Sequence, residues 1–511
     1  MAEIKSKRKR IIRESEILIT TENYPNKTQN NSNLSIIDDI ILRDIGKISD
    51  ENGFKVYAVG GIVRDSILGL HRQDYDFTVV GDSIEFAKIV AAHYHSKPVI
   101  FQKFLTAMVP LNKDIKLEFV GTRKEIYTPE SRDPIVSVGT LNDDLQRRDF
   151  TVNALAIALN KDNYGDLIDM FGGIEDIKKK ILKTPLEPLN TFSDDPLRMM
   201  RAARFASQLG FEIEQNTLAS AKEMSNRITI ISQERISNEF FKILQSQKPS
   251  IGINYLSEMD LLKHIFPELE ALKGVEIVQE GQRHFAHKDV YRHTLKVVDN
   301  ISQMTDNVWL RFAALLHDIA KPQTKRFLPN MGWTFYGHEE VGAKIAANIF
   351  RKMKLSMEYL PYVQSLIRMH QRPMKLVDES VTDSAIRRLA FQAGDTLEDL
   401  IILCKADITT KNPDLTIEYL NNYDIVMQKV IEVQEKDKLR QFESPIRGEE
   451  IMEICNLNPC KAIGRIKSKI EDAILDGVIP NEYTAAKEYF LDNIDSWLAE
   501  IPDNEKFIAT L

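Results

Sequence analysis

The stretch Val56–Val80, VYAVGGIVRDSILGLHRQDYDFTVV, reads as a strand, a glycine turn, a helix start, a loop and a second strand. Asp74 and Asp76 stand two apart where the second apolar run begins. Side chains at i and i+2 of a strand share a face, so both carboxylates project together. Paired carboxylates on one face suit hard divalent cations, and a Gly60-Gly61 turn just after a strand lets backbone N–H groups approach phosphate oxygens. Such chemistry calls for Mg2+ and a triphosphate. Gly-Gly by itself also suits a plain tight turn, and Asp-x-Asp a solvated strand end. Their occurrence in one strand-turn-strand unit, with Arg64 and Asp65 between them, favours the site.

At 511 residues the chain exceeds one ordinary core, and three or four domains are expected. Apolar residues make up 43%, charged residues 28%, and no apolar run reaches membrane-spanning length, so no membrane contact is expected. The net charge of -8 speaks against a protein coated by nucleic acid and leaves room for a local basic groove. Cys404, Cys455 and Cys460 show neither metal-site spacing nor a disulfide framework, which fits a reducing, cytoplasmic setting. Residues 1–34 carry a basic cluster (Lys5, Lys7, Arg8, Lys9, Arg10, Arg13) and then the polar run TTENYPNKTQNNSN. Lacking the apolar core of a secretory signal, this segment is expected to be a mobile tail; a solvated tail without a role is the plainer reading, and contact of its basic cluster with RNA the alternative.

Apolar spacing predicts a helix over Ser35–Ile48 and another over Asp82–His93. Strands are expected at Pro98–Gln102, Thr106–Pro110 and Lys116–Val120, giving a small mixed sheet with helices against it. Thr122–Asp144 is polar and proline-bearing, with Glu125, Glu130, Arg132 and Asp133, and is expected to be a mobile loop. In LQRRDFTVNALAI, Leu145–Ile157, Asp149 and Asn153 fall one helical turn apart behind Arg147 and Arg148, while Phe150, Val152, Leu155 and Ile157 can face a core. Polar groups so spaced can meet a ribose hydroxyl and a phosphate; a surface helix capped by Asp149 is the plainer reading.

From Asp194 onward the chain reads as nearly all helix. In DDPLRMMRAARFASQLGF, Leu197, Met200, Ala203 and Leu209 build an apolar face, and Arg198, Arg201 and Arg204 recur every three residues on another. Further on, His293, the pair His317-Asp318, His338, His370 and Asp407 each fall in their own helical element. A lone histidine on such a helix is ordinarily packed or exposed; four with two aspartates suggest a centre for Fe, Mn, Zn, Ni or Co. Lys321, one turn after the His-Asp pair, can meet a phosphate. In the last helical region, Pro459 and Gly464 would permit close approach to a phosphate backbone, beside the commoner reading of ordinary helix packing.

Taken in order, GGIVRD with DYD (Gly60–Asp76), RRDFTVNAL (Arg147–Leu155), IDMFGG (Ile168–Gly173), DDPLRMMRAARF (Asp194–Phe205) and ISQERISNEF (Ile231–Phe240) resemble the class II tRNA nucleotidyltransferase and poly(A) polymerase family of bacteria, with an HD-type phosphohydrolase domain fused behind. The resemblance covers most of the chain from about Ile36. It implies an α+β protein: a mobile tail (1–34), a small nucleotidyltransferase head with a mixed sheet and flanking helices (35–172), a helical neck and body (173–279), an HD domain (280–412) and a helical, RNA-contacting tail domain (413–511).

It further implies that Asp74 and Asp76 hold two Mg2+ ions, so that the 3′ hydroxyl of tRNA attacks the α-phosphate of CTP or ATP and pyrophosphate leaves. Gly60 and Gly61 would cradle the triphosphate and Arg64 would steady it. Asp149 with Arg148 would select the ribose 2′ hydroxyl, with Asn153 nearby. Asp195 and Arg198 would read the Watson–Crick edge of the base; Asp194 stands where the family commonly has Glu. Arg198, Arg201 and Arg204, with lysines of the tail, would form a basic stripe for the acceptor stem. Glu118 is a further acidic candidate, and the 122–144 segment matches a flexible loop implicated in switching from CTP to ATP. In the HD region His293, His317, Asp318 and Asp407 would bind one transition metal, with His338 and His370 as ligands of a second. That set implies hydrolysis of a phosphomonoester or a 2′,3′-cyclic phosphate. Poly(A) synthesis, addition of CC or A only, and a catalytically silent RNA-binding protein are the alternatives.

Overall fold

The computed structural model describes residues 35–70, 74–128, 131–274, 277–280, 283–286, 289–329, 331–377, 382–437, 444–502 and 505–506. The tail 1–34 and Glu130 lie outside the described residues. The chain forms two compact units, Met1–Glu239 with Ile251–Ile265, and Phe240–Ser250 with Phe266–Leu511.

Among the described residues the first unit holds eleven strands. Seven of them, β1 (Lys55–Val59), β2 (Asp74–Val80), β3 (Val99–Phe101), β4 (Thr106–Pro110), β5 (Lys116–Gly121), β8 (Leu155–Ala158) and β9 (Leu167–Asp169), make one sheet in the order β3-β4-β5-β2-β1-β8-β9. β2 runs parallel to β5, and the other neighbours are antiparallel. Along β2, Tyr75, Phe77 and Val79 turn into the core, where Phe77 stacks on Phe119 at 5.0 Å and Phe119 meets Phe86 at 5.4 Å. Asp74, Asp76 and Thr78 therefore occupy the opposite face. The expected strands are found to within a residue or two.

Helices α1 (Ile40–Glu51), α2 (Gly61–Ile67) and α3 (Ser83–His93) accompany the sheet. The first begins later than expected. Asp39 takes the amides of Ile41 and Leu42 and so starts α1, leaving Ser35–Asp38 as a 3-10 turn. Asp39 also accepts from Tyr75 Oη at 2.8 Å, tying this cap to the strand that bears Asp74 and Asp76.

Two expectations fail. Thr122–Asp144 is not a loop: β6 (Arg123–Thr128) and β7 (Ser131–Val138) pair as a hairpin from Arg123↔Val138 to Thr128↔Ser131, and α4 (Leu141–Gln146) follows, opened by a Thr140/Asp143 capping box. The polar composition concealed a β-branched set, Ile126, Thr128, Ile135, Val136 and Val138, in a ladder that satisfies its own backbone groups. Leu145–Ile157 is likewise not one helix. Past α4 the chain is extended at Phe150, turns at Thr151–Asn153 and becomes β8, pairing Val59↔Ala156 with β1. The core-facing assignments nonetheless hold, since Phe150, Val152, Leu155 and Ile157 are all buried. A short buried apolar run serves a central strand as well as a helix.

Helices α5 (Gly173–Lys179), α6 (Pro188–Asp194), α7 (Leu197–Leu209), α8 (Gln215–Glu223) and α9 (Gln233–Leu244) follow. The expected basic stripe on α7 is not an exposed face: Arg198 and Arg204 are each only 8% exposed. A three-residue repeat drifts around a 3.6-residue helix, carrying these arginines against the packed side.

In the second unit, helices Val290–Ser302, Val308–Leu316, His338–Lys352, Leu360–Met369, Leu397–Ala406 and Pro413–Asp437 gather around the histidines, with the strand pairs Ile277–Glu280/Arg283–Ala286 and Arg326–Leu328/Gly332–Thr334 inserted. The last three helices, Gly448–Cys455, Lys461–Leu475 and Tyr483–Glu500, pack on Ile451, Ile466, Ile470, Phe490 and Trp497. In Lys461–Leu475 Gly464 faces open space. Among the described residues no helix is long and apolar enough to cross a membrane.

Candidate functional site

On β2, Asp74 is exposed and Asp76 half-buried, and Asp76 pairs in register with Glu118 on β5. Burial raises the Asp76 carboxyl above the usual carboxylate range; Arg148 and Arg201 pull it back while Asp74 adds to the rise. Glu118 is raised by its own burial and then by Asp76. Asp76, raised by Asp74 and in turn raising Glu118, sits in a negative field that a divalent cation would relieve, and this is the observation by which the residues present fit Mg2+.

Gly60 closes β1 with φ 76° and opens α2. Its amide donates to Leu155 O at 3.1 Å, so it is committed to the sheet rather than offered to a phosphate. What Gly60 supplies is clearance, because a Cβ there would lie 2.7 Å from Arg148 Nη1. Arg148 Nε is buried without a hydrogen-bond partner, and Nη1 reaches Asn153 O at 3.5 Å. A guanidinium with spare donors thus sits over the glycine turn and close enough to Asp76 to shift it.

Arg64 is placed differently from expectation. It is 1% exposed, donates to Asp65 Oδ1 from Nε at 2.8 Å and to Asn153 Oδ1 from Nη1 at 2.5 Å, and lies over the Phe205 ring. Asn153 Nδ2 in turn donates to Asp149 Oδ1 at 2.9 Å, and Asp149 Oδ2 takes Arg201 Nε at 2.7 Å. Arg64 is therefore the far end of a buried chain, Asp65–Arg64–Asn153–Asp149–Arg201, that ties the glycine turn to α7. Burial would push the Asp149 carboxyl up, but Arg201 and Asn153 outweigh it and leave it at about 2.

Asp195 precedes α7 and accepts the Leu197 amide at 3.0 Å. Arg198 donates to Arg147 O at 2.6 Å and Thr191 O at 3.3 Å. Behind them α9 supplies two residues that the sequence reading did not single out. Arg235 reaches Asp195 at 3.3 Å, and Glu239 reaches Arg204 at 3.1 Å with both side chains buried. Their spacing of four in ISQERISNEF, which puts both on one helix face, is the signal that could have found them.

Among the described residues, two groups of three His or Asp side chains lie closely enough to share a metal ion, both in the second unit: His293, His317 and Asp407, and Asp318, His338 and His370. Asp318 lies between them, with Oδ2 3.3 Å from His317 Nε2 and 3.7 Å from His293 Nε2, and Oδ1 3.4 Å from His338 Nε2 and 3.9 Å from His370 Nε2. His293 Nε2 is 2.9 Å from Asp407 Oδ1, and His338 Nε2 is 3.3 Å from His370 Nε2.

Each ring is turned inward by its other nitrogen. Nδ1 of His317, His338 and His370 lies 2.7, 2.8 and 2.7 Å from the carbonyl oxygens of Ala314, Phe335 and Ile367, and Nδ1 of His293 lies 3.0 Å from Thr409 Oγ1. His317 Nε2, Asp318 Oδ1 and Asp407 Oδ1 are buried within ion-pair distance of these groups yet lack hydrogen-bond geometry. Buried donor atoms left in that condition, behind carbonyl-oriented imidazoles, fit a transition metal. Burial lowers His317, but Asp318 and Asp407 prevail and hold it at about 10; burial and then His317 hold His370 down at about 4. Lys321 Nζ is 2.6 Å from Asp318 Oδ2 and borders a cavity of about 380 Å³ with His293, Asp407, Thr409 and Tyr419.

Residues 56–183 match the poly A polymerase head domain, 210–273 the probable RNA and SrmB-binding site of polymerase A, and 290–412 the HD domain. The multifunctional CCA protein of Shewanella frigidimarina is 32% identical over 368 residues, 69% of this chain and 83% of that protein. The A-adding tRNA nucleotidyltransferase of Deinococcus radiodurans is 28% identical over 463 residues, covering 87% of this chain and 96% of its own. A solved CCA-adding enzyme with ATP shares the fold with a TM-score of 0.57 at 24% identity, over 90% of this chain and 95% of that one. With its paired carboxylates on β2, its ordered motifs and its histidine centre in the HD segment, the chain belongs to the class II tRNA nucleotidyltransferase and poly(A) polymerase family, in the form that carries an HD domain behind the head.

Proposed function

We propose that this protein adds the 3′-terminal CCA of tRNA without a template, from CTP and ATP. The observation that carries the reading is the placing of the Arg148 guanidinium over the glycine turn and near Asp76, which shares its strand face with Asp74, inside the head-domain match. Mg2+ held by Asp74 and Asp76 would activate the RNA 3′ hydroxyl and neutralise the triphosphate. Arg148 binds the phosphate chain over Gly60, and the amide of Gly61 opens the adjoining helix. Asp149 with Arg201 orients the ribose side, and Arg64 and Asn153 hold Asp149 in place. Asp195 and Arg198 read the base. Exchange between C and A then requires Arg198 to trade its bonds to Arg147 O and Thr191 O, and Asp195 its contact with Arg235, as the 3′ end grows.

A second reading, addition of the terminal A only, is favoured by one observation: the Deinococcus relative that matches along nearly its whole length is an A-adding enzyme. Transcripts of tRNA ending at the discriminator base, at CC and at CCA, incubated with Mg2+ and labelled CTP or ATP, separate the two. CCA addition predicts C incorporation on the first and A on the second, with no extension of the third. A-only addition predicts incorporation on the second alone, and long A tails would sink both.

At the second centre His293, His317, Asp318 and Asp407, with His338 and His370, would hold one or two of Fe, Mn, Zn, Ni or Co, and the bound metal would supply Lewis acidity for hydrolysis at phosphorus. We assign it hydrolysis of a phosphomonoester or 2′,3′-cyclic phosphate, with Lys321 at the mouth of the cavity to meet the phosphate. Metal analysis with phosphate release from 2′,3′-cyclic and 3′-phosphate RNA ends checks this, and a purified protein that stays metal-free after supplementation counts against it.

A further inference from the structure

Asp144 lies outside RRDFTVNAL, in the first turn of α4, and its carboxylate is completely buried. Oδ2 accepts from Thr78 Oγ1 at 3.0 Å and lies 3.3 Å from Arg148 Nη2. Oδ1 takes Arg147 Nη2 at 2.5 Å and Nε at 3.1 Å. Thr78 stands two residues beyond Asp76 on the same face of β2, so one buried acid grips the strand that carries Asp74 and Asp76 and also the guanidinium that overhangs Gly60. Removing a carboxylate from water costs several kcal/mol unless it is paired, and two arginines with a hydroxyl meet that cost here.

The division of labour between the arginines is unequal. Arg147 is held through two nitrogens, whereas Arg148 gives Asp144 only Nη2 and keeps Nε unpartnered. A planar guanidinium held at Nη2 by Asp144 and at Nη1 by the Asn153 carbonyl has its orientation set, and each of these two nitrogens keeps a second hydrogen for an anion, so none need rearrange first.

We infer that Asp144 is a positioning residue for nucleotide addition: it aims Arg148 at the β- and γ-phosphates of the incoming nucleotide from the Thr78 side of the catalytic strand. The inference rests on the head-site reading above. Its counterpart is a purely architectural Asp144 that balances charge inside the head and has no bearing on which ligand is preferred.

Equilibrium binding of CTP and CMP to the full-length protein with Mg2+, without tRNA, decides between them. Asp144→Asn preserves shape and the Thr78 contact while removing the charge. The ratio of CMP to CTP dissociation constants is expected to fall roughly tenfold, the size of one charge-assisted contact, with CMP and tRNA affinity unchanged. Arg148→Gln lowers the same ratio, and Asp144→Asn made in that background adds nothing further, because both act through one guanidinium. Should Asp144→Asn not fold, Asp144→Glu, which keeps the charge on a longer arm, is read by the same ratio and is expected to lower it several-fold. An unchanged ratio in the folded variant, or full additivity with Arg148→Gln, overturns the proposal. A wild-type protein that binds CTP and CMP alike overturns the head-site reading and this inference together.

Discussion

At Gly60 two demands coincide. The backbone lies at φ 76°, and the Arg148 guanidinium occupies the volume a side chain would need. Gly60→Ala strains the turn and displaces Arg148, so nucleotide incorporation is expected to fall by at least roughly tenfold, with the larger part in KM for the nucleotide. Steady-state incorporation on a tRNA ending in CC measures it, and wild-type KM would reduce Gly60 to a plain turn. Asp74 and Asp76 were legible because a strand's period of two is written in the sequence itself. Arg64 was not: its partner Asn153 is 89 positions away, and nothing local distinguishes an arginine aimed at a phosphate from one buried against an amide. The same holds for Arg204, whose acid stands on another helix.

Among the elements, α7 and α9 show how base-reading residues are kept in place. Arg235 and Glu239, four apart on α9, hold Asp195 and Arg204 on α7 or at its start. Glu239→Ala leaves the Arg204 charge buried without its carboxylate and is expected to cost about 3 kcal/mol of stability. Urea denaturation followed by circular dichroism checks the figure; a loss below about 1 kcal/mol would mean that Arg204 finds water or another acceptor. The elements were read well where apolar periodicity was strong, as in β2, β4 and α3. They were misread where composition and backbone disagreed. The hairpin β6–β7 is polar by count yet β-branched by pattern, and the RRDFTVNAL segment changes from turn to central strand within a few residues, too abruptly for a helical or strand period to register.

For the molecule as a whole, the order of motifs foretold a catalytic sheet followed by a largely helical remainder, because each motif carries its own local chemistry. Contact across the sequence, such as the convergence of six ligands from five separate places in the chain, was legible only as a suspicion until the rings were seen to turn inward. The two centres are built from different residues, so they are expected to fail separately. Asp74→Ala with Asp76→Ala should abolish incorporation while leaving transition-metal content intact, and His317→Ala should strip metal while incorporation persists. Loss of both properties from either change would contradict that independence.

Asp318 adds a constraint of another kind. Its two oxygens face the two groups of ligands in turn, so filling either position alters the charge seen by the other through a single shared anion. Loading is then a linked equilibrium rather than two independent titrations. In a chain loaded with two ions, substituting His370 should reduce metal content toward one, whereas Asp318→Ala should empty both positions together, a difference that elemental analysis of the purified variants resolves.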